Sequence, residues 1–360
     1  MRYFMHRPNN VLGKGYKTGV PPVTGMSPVS CGFFDTRPKV SRDFVFGRDD
    51  VINEVERLLN SGFWPVILGP RRVGKTTVMR VVINELGGIY IDVSTIMGGL
   101  KGLGLRLIDE VKRLNIRVKL NLAMLQLDIE RRPMVIIEGL IRELGDVVIG
   151  IDEVQNIISP KLPSLLSVAY NESRVRFIFS GSLVGTTRLI MKSPPESLGR
   201  PLIRFELRPF TREQSIEFLR ISSRNCGINI SDIEIENAVN EFDGIVGWLT
   251  YYGSLRSSGK SHPEAMEALR SIAREVIKDE LSKLGRYELV TYRALATLSR
   301  ARWIEIKRLA ESLIGHSIDD KTFTTGLKAL VNMYMVREVE RGIYEVIDGY
   351  MARLVREYGV

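Results

Sequence analysis

Cysteine and histidine are scarce in this chain: 360 residues carry two cysteines, Cys31 and Cys226, and three histidines, His6, His262 and His316. Two cysteines build neither a disulfide framework nor a cysteine metal site, and a reducing, cytoplasmic location fits that usage. Three histidines so far apart in sequence argue against a histidine metal cluster. No apolar run approaches the roughly 20 residues of a membrane-spanning helix, so no membrane partner is expected. The basic start lacks the apolar stretch of a secretory signal. The Asn-Lys-x-Asp element with which GTPases read their base is missing, and no internal repeat is present. Glutamine is scarce and arginine abundant, a bias met in thermophilic proteins.

Acidic residues are nearly missing from the first 42 positions, where seven Lys and Arg face Asp35 alone. That segment supplies six of the nine units of net positive charge, so the body carries only three. The basic balance therefore says little about nucleic-acid binding by the body. With 44% hydrophobic and 26% charged residues the chain has ordinary globular composition, and its length suits two or three domains.

What is present is more specific. Gly69-Pro70-Arg71-Arg72-Val73-Gly74-Lys75-Thr76 is a complete G-x-x-x-x-G-K-[ST] phosphate loop. Pro65-Val66-Ile67-Leu68 before it reads as a buried strand. From Gly74 to Leu86, Val78, Val81, Val82 and Leu86 recur at helical spacing. Strand, glycine-rich turn and helix is the context the motif requires. Gly69 and Gly74 allow a tight turn, and the backbone N–H groups of Pro70's neighbours Arg71, Arg72 and Val73 point inward with the helix N-terminus. Lys75 supplies a cation for the β- and γ-phosphates, the Thr76 hydroxyl is a hard ligand for Mg²⁺, and Thr77 stands beside it.

Val147-Val148-Ile149-Gly150-Ile151-Asp152-Glu153 is a second motif, a buried strand that ends in two carboxylates. In open parallel sheets ligands bind outside the carboxyl ends of the strands, which puts this pair beside the phosphate loop. Asp152 is the candidate to orient Mg²⁺ and Glu153 the candidate to polarise an attacking water. Ser180-Gly181-Ser182 ends the next strand, where a hydroxyl can sense the γ-phosphate. Arg200, after the stretch from Lys192 to Gly199, can offset transition-state charge on its own or a neighbour's phosphate.

Patterning predicts an α/β fold: a mainly parallel sheet with helices on both faces. Helices are expected over 49–60, 100–114 and 133–144, and strands over 88–93, 146–151, 175–179 and 203–207. Residues 116–129 alternate apolar and polar and predict a small hairpin. Residues 211–284 read as wholly helical, and 286–348 as three helices followed by two short strands around Gly342. The division that the patterns suggest is a flexible basic tail over 1–32, an α/β phosphate-loop unit over 33–210, a helical segment over 211–284 and a helix-then-strand module over 285–360; the resemblance described next implies an ATPase core, a helical lid and a winged helix for the last three.

These motifs together resemble the archaeal ATPases of the STAND group, the signal-transduction NTPases related to AAA+ proteins, from about Phe33 to Tyr358. Phe34-Asp35-Thr36-Arg37-Pro38-Lys39 followed by Phe46-Gly47-Arg48 is similar to the family's first element, which implies Arg48 near the nucleotide. Ile151-Asp152-Glu153-Val154-Gln155, Phe179-Ser180-Gly181-Ser182, Leu198-Gly199-Arg200 and Leu207-Arg208-Pro209-Phe210-Thr211 match further elements, the Leu-Tyr-Gly-Arg one without its Tyr. The lid element Gly-Gly-x-Pro-Gly-Tyr-Leu stands here as Asp243-Gly244-Ile245-Val246-Gly247-Trp248-Leu249, which implies nucleotide contact at Gly247, with Val246 in place of Pro. Gly253-Ser254-Leu255-Arg256 could supply a second-sensor Arg. The Asp-Pro element near the C-terminus is Asp348-Gly349 here.

The resemblance implies a winged helix at 286–350, whose third helix holds Asp319, Asp320, Lys321 and Lys328 and is charge-balanced where a DNA reader is usually basic. The expected function is a Mg²⁺-dependent, slow ATPase switch whose ATP or ADP state is coupled to the winged helix. Its partner would be a protein, or a second copy through the lid or winged helix; DNA is the less favoured partner. The alternatives are a DNA-associated AAA+ ATPase similar to archaeal replication initiators, and a non-catalytic nucleotide-dependent scaffold.

Overall fold

The run Trp64–Leu68 is apolar throughout, and it becomes strand β1, buried along its whole length. The computed structural model that shows this describes residues 31–157, 159, 161–181 and 202–359. With β2 (Ile89–Asp92), β3 (Val148–Asp152), β4 (Arg176–Gly181) and β5 (Leu202–Glu206), β1 forms a sheet of order β2-β3-β4-β1-β5. Every pairing in it is parallel. Parallel neighbours need crossovers, and helices supply them. Helices α1 (Asp49–Asn60) and α2 (Lys75–Leu86) pack on one face. On the other lie α3 (Leu100–Arg113), α4 (Leu122–Asp128), α5 (Pro133–Glu143) and α6 (Leu162–Glu172). Side chains of β1 alternate between the two cores: Ile67 joins the first, Val66 and Leu68 the second.

The hairpin expected at 116–129 is not formed; part of that segment is helix α4. The side chain of Asn121 accepts hydrogen bonds from the amides of Ala123 and Met124 and starts the helix. Leu122, Leu125 and Ile129 are spaced i, i+3, i+7, so one helical face covers the second core. The apparent alternation came from Met124 and Leu127, which lie exposed on the opposite side.

The helical segment after β5 contains α7 (Arg212–Asn225), α8 (Asp232–Phe242), α9 (Val246–Ser257) and α10 (His262–Ser282). Three of these begin on capping boxes, Thr211 with Gln214, Ser231 with Glu234 and Ser261 with Glu264. Each box satisfies two amides that the first turn would otherwise leave without partners. The C-terminal module is α11 (Arg286–Leu298), β6 (Arg300–Arg302), α12 (Trp303–Ile314), α13 (Asp320–Asn332), β7 (Val336–Glu340), β8 (Ile343–Val346) and α14 (Gly349–Tyr358). Its antiparallel sheet has the order β6-β8-β7. Strand β6 and helix α14 were not expected from the sequence.

Helices α7–α10 and the C-terminal module do not have separate cores. Phe210, Phe218 and Trp248 of the lid region and Tyr292, Phe323 and Tyr350 beyond it belong to the cluster that buries Ile67 and Val78. One apolar interior thus runs from the α1–α2 face of the sheet to the chain's end.

One expectation from cysteine usage, that the two cysteines form no disulfide framework, needs correction. Cys31 and Cys226 form a disulfide that spans 195 residues. Phe34, fully buried, packs edge-on against Phe218 of α7, and this seats Cys31 beside the C-terminal end of that helix. The disulfide withdraws the support that cysteine usage lent to a reducing location. The tail expected over 1–32 lies outside the described residues up to residue 30, whereas Cys31 and Gly32 belong to the fold. No helix among the described residues is long and apolar enough to cross a membrane.

Candidate functional site

Strand β1 ends at Leu68 and α2 starts at Lys75, so residues 69–74 must turn the chain between them. Gly69 has φ +143, and a Cβ there would lie 2.3 Å from the carbonyl oxygen of Leu207. Only glycine fits so close an approach. The amides at the start of α2 face the loop's interior with the positive end of the helix dipole. Lys75 is buried, and its Nζ donates to the carbonyl oxygens of Gly69 at 2.9 Å and Pro70 at 2.6 Å. Burial brings the Lys75 ammonium down to about 8, with the Glu153 and Asp152 carboxylates pulling the other way.

Asp152 ends β3 and is buried. Its Oδ1 accepts from the Ser180 hydroxyl and from the Glu153 amide at 3.0 Å. Its Oδ2 accepts from the Tyr90 hydroxyl at 2.9 Å. Glu153 follows in a left-handed conformation, φ +54, costly for a residue with a Cβ and usual where a site over-determines the backbone. That turn sends its side chain to the wall between two clefts.

One cleft, of about 410 Å³, lies between the phosphate loop, the N-terminal segment and the lid; Arg48, Thr76, Glu153, Phe210, Gly247 and Tyr251 are among its walls. The second, of about 810 Å³, opens on the other side of Thr76 and Glu153 toward Tyr90, Asp152 and Met335. Both are bounded by the motif residues that the sequence singled out. Arg48 is buried, stacks 4.4 Å from the Phe210 ring centroid, and donates to the carbonyl oxygens of Val73 at 3.2 Å and Arg208 at 2.8 Å. Burial brings its guanidinium down to about 10.

Arg72 is the loop residue that meets α9 and α10. Its φ is +62, and its carbonyl oxygen accepts from the Gly247 amide at 2.9 Å. A Cβ on Gly247 would lie 2.6 Å from the Cβ of Arg72, so α9 can approach the loop only through glycine. The Arg72 guanidinium lies 4.2 Å over the Trp248 ring and pairs with Glu280 of α10 at 2.6 Å. Arg71 reaches the same carboxylate at 3.5 Å. The Trp248 indole donates to Asp348 at 3.0 Å, at the start of α14. Burial raises the Asp348 carboxyl above its ordinary range.

The fold therefore gathers the phosphate loop, Thr76, Thr77, Asp152, Glu153, Ser180, Arg48 and Gly247 around these clefts. Ser180 touches Asp152, and Gly247 touches the loop backbone. Thr77 accepts from the Lys39 amide at 3.3 Å, which lays the N-terminal segment along the cleft. Arg256 is held inside the lid by Glu234, Tyr252 and Asn229, and is not among the cleft walls. Ser182 and Arg200 lie outside the described residues. Sequence reasoning missed Tyr90 and Glu280. Tyr90 has a signal after the fact, since β2 runs parallel to β3 with Asp92 opposite Asp152. Glu280, separated from Arg72 by 208 residues, has none.

A family model described as an ATPase domain predominantly from Archaea matches residues 45–252. No curated protein matches the chain. Among solved structures, the Walker-type ATPase PABY2304 of Pyrococcus abyssi is 27% identical with a TM-score of 0.77, covering 90% of this chain and 99% of that one. The ORC2 protein of Aeropyrum pernix in its ADPNP–ADP complexes is 13% identical with a TM-score of 0.64, covering 91% and 96%. The latter likeness is one of fold.

Proposed function

Because the chain belongs to a family of ATPase domains predominantly from Archaea, we propose that it is a STAND-type switch: it binds ATP, hydrolyses it slowly, and transmits the nucleotide state to its C-terminal module. The observation that carries this reading is Arg72, a phosphate-loop residue whose side chain joins Glu280 and Trp248, and through Trp248 reaches Asp348 of the C-terminal module. A loop that changes with the γ-phosphate would change those contacts, and a switch needs such differential contacts.

In this reading the loop amides and Lys75 hold the phosphates, and Arg48 and Gly247 border the nucleotide. Thr76 and Asp152 are the residues that would hold Mg²⁺. The donor set fits, because a hydroxyl and a carboxylate, both hard oxygens, line one cleft. Among the described residues no group of three His, Cys, Asp or Glu could hold a metal alone, as suits an ion that takes one or two protein oxygens and completes its shell with phosphate and water. Bound there, Mg²⁺ would neutralise charge on the β- and γ-phosphates. Glu153, at the wall of both clefts, polarises the attacking water. Ser182 and Arg200 are proposed as phosphate sensor and charge-offsetting arginine.

The order helix, strand, helix, helix, strand, strand over residues 286–346 supports reading the C-terminal module as a winged helix. Its α13 carries Asp320 beside Lys321 and Lys328 and follows Asp319, a balance that favours a protein partner or a second copy over DNA. Single-turnover hydrolysis tests the enzyme. Glu153→Gln should bind ATP with wild-type affinity and cleave it at least about 100-fold more slowly. Equal inertness of wild type and variant would leave a nucleotide-dependent scaffold.

A further inference from the structure

Asp152 is held from both sides of its strand. The order β2-β3-β4 places β3 between its two neighbours. From β4 the Ser180 hydroxyl donates to Oδ1, where the Glu153 amide also donates. From β2 the Tyr90 hydroxyl donates to Oδ2 at 2.9 Å. The Tyr90 ring is itself fixed, with the guanidinium of Arg80 5.0 Å from its centroid. Arg80 stands on α2, the helix that also carries Lys75 and Thr76. Tyr90, Arg80, Thr76 and Asp152 share the wall of the larger cleft.

We propose that Tyr90 is a positioning residue for the divalent cation, holding the Asp152 carboxylate in the plane from which it meets the ion's water. The inference rests on the reading above that Thr76 and Asp152 hold Mg²⁺. An ionised carboxylate turns readily about its last bond, and it has about four acceptor sites. Two donors on Oδ1 and one on Oδ2 fix the plane and still leave a lone pair on Oδ2 for a water. Without the Tyr90 hydroxyl the carboxylate loses the donor that fixes its Oδ2. Groups that orient a metal's ligands are worth about 10–100-fold in metal affinity.

The test is Tyr90→Phe, which keeps the ring under Arg80 and removes only the hydroxyl. Two affinities are read: Mn²⁺ in the presence of ATP, by electron paramagnetic resonance, and ATP in EDTA, by calorimetry. Melting in EDTA is the control for folding. The expected result is Mn²⁺ binding weakened about tenfold, with ATP affinity in EDTA and the melting temperature as in wild type. Mn²⁺ affinity within twofold of wild type overturns the proposal. A parallel loss of ATP affinity in EDTA or of melting temperature overturns it as well, by assigning Tyr90 a merely structural part. Wild-type protein that takes up ATP in EDTA but no Mn²⁺ overturns the cation-site reading on which it rests, and the two failures are thereby told apart.

Discussion

Lys75 is an amine enclosed by protein, and its charge is sensitive to pH near neutrality. In the ligand-free protein it loses its proton as pH rises through about 8, where an exposed lysine holds it to 10.5. Phosphates select the charged form. ATP affinity should therefore be flat up to about pH 8 and fall about tenfold per unit above it, until the bound-state value is passed. Calorimetric titration at pH 7, 8 and 9 checks this, and Lys75→Arg, which stays charged, should lose the Lys75 part of the dependence, leaving what Lys39 of the same cleft contributes. Lys75, Thr76, Asp152 and Glu153 were legible from sequence as candidates, because the phosphate and Mg²⁺ chemistry proposed for them needs those residue types at short, fixed spacings, and the fold brings all four to the walls of the two clefts. Tyr90 was not, because its partner lies 62 residues away and only the register of β2 against β3 joins them.

At the scale of elements, local chemistry and tertiary contact divide the credit. Helices α7, α8 and α10 announce themselves through Thr211, Ser231 and Ser261, each with Gln or Glu three residues on. Residues 116–129 misled, because an alternating run with a helix cap at Asn121 satisfies both periods, and only the second core decides between them. Strand β6, three residues between two helices, exists only because it pairs with β8. Helix α9 meets the phosphate loop at Gly247, whose missing side chain lets the Arg72 carbonyl reach the Gly247 amide. Gly247→Ala should lower the stability of the ligand-free protein by about 1–3 kcal/mol, the usual cost of overpacking. It should also weaken ATP binding, because the loop must shift. Urea unfolding and ATP titration of the same variant check the two effects; a neutral result in both would mean that α9 is free to back away from the loop.

On the scale of the whole molecule the described residues share a continuous interior, since the core that buries the sheet's α1–α2 face continues into helices α7–α10 and the C-terminal module. Glu280, only 8% exposed at its side chain, pairs with Arg72 across the seam. Glu280→Gln leaves that guanidinium without its carboxylate and should cost about 3 kcal/mol in urea unfolding. A loss below about 0.5 kcal/mol would mark the pair as solvent-screened. The Cys31–Cys226 disulfide ties the segment along the cleft to the lid. Closing so long a loop restricts the unfolded chain, so reduction should lower stability by about 2–5 kcal/mol. Melting with and without reductant, beside a Cys31→Ser variant that should not respond to it, reads that effect. By itself the sequence determined the phosphate loop, the carboxylate pair, the α/β class and the helical character of the lid. Each of these is written in neighbouring residues, by periodicity or by fixed chemical spacing. Only the tertiary structure decided the disulfide, the helix at α4, Tyr90 on Asp152, and Arg72 joined to Glu280 and Trp248. These depend on residues that chain folding alone brings together, and no local pattern encodes a contact between positions tens or hundreds of residues apart.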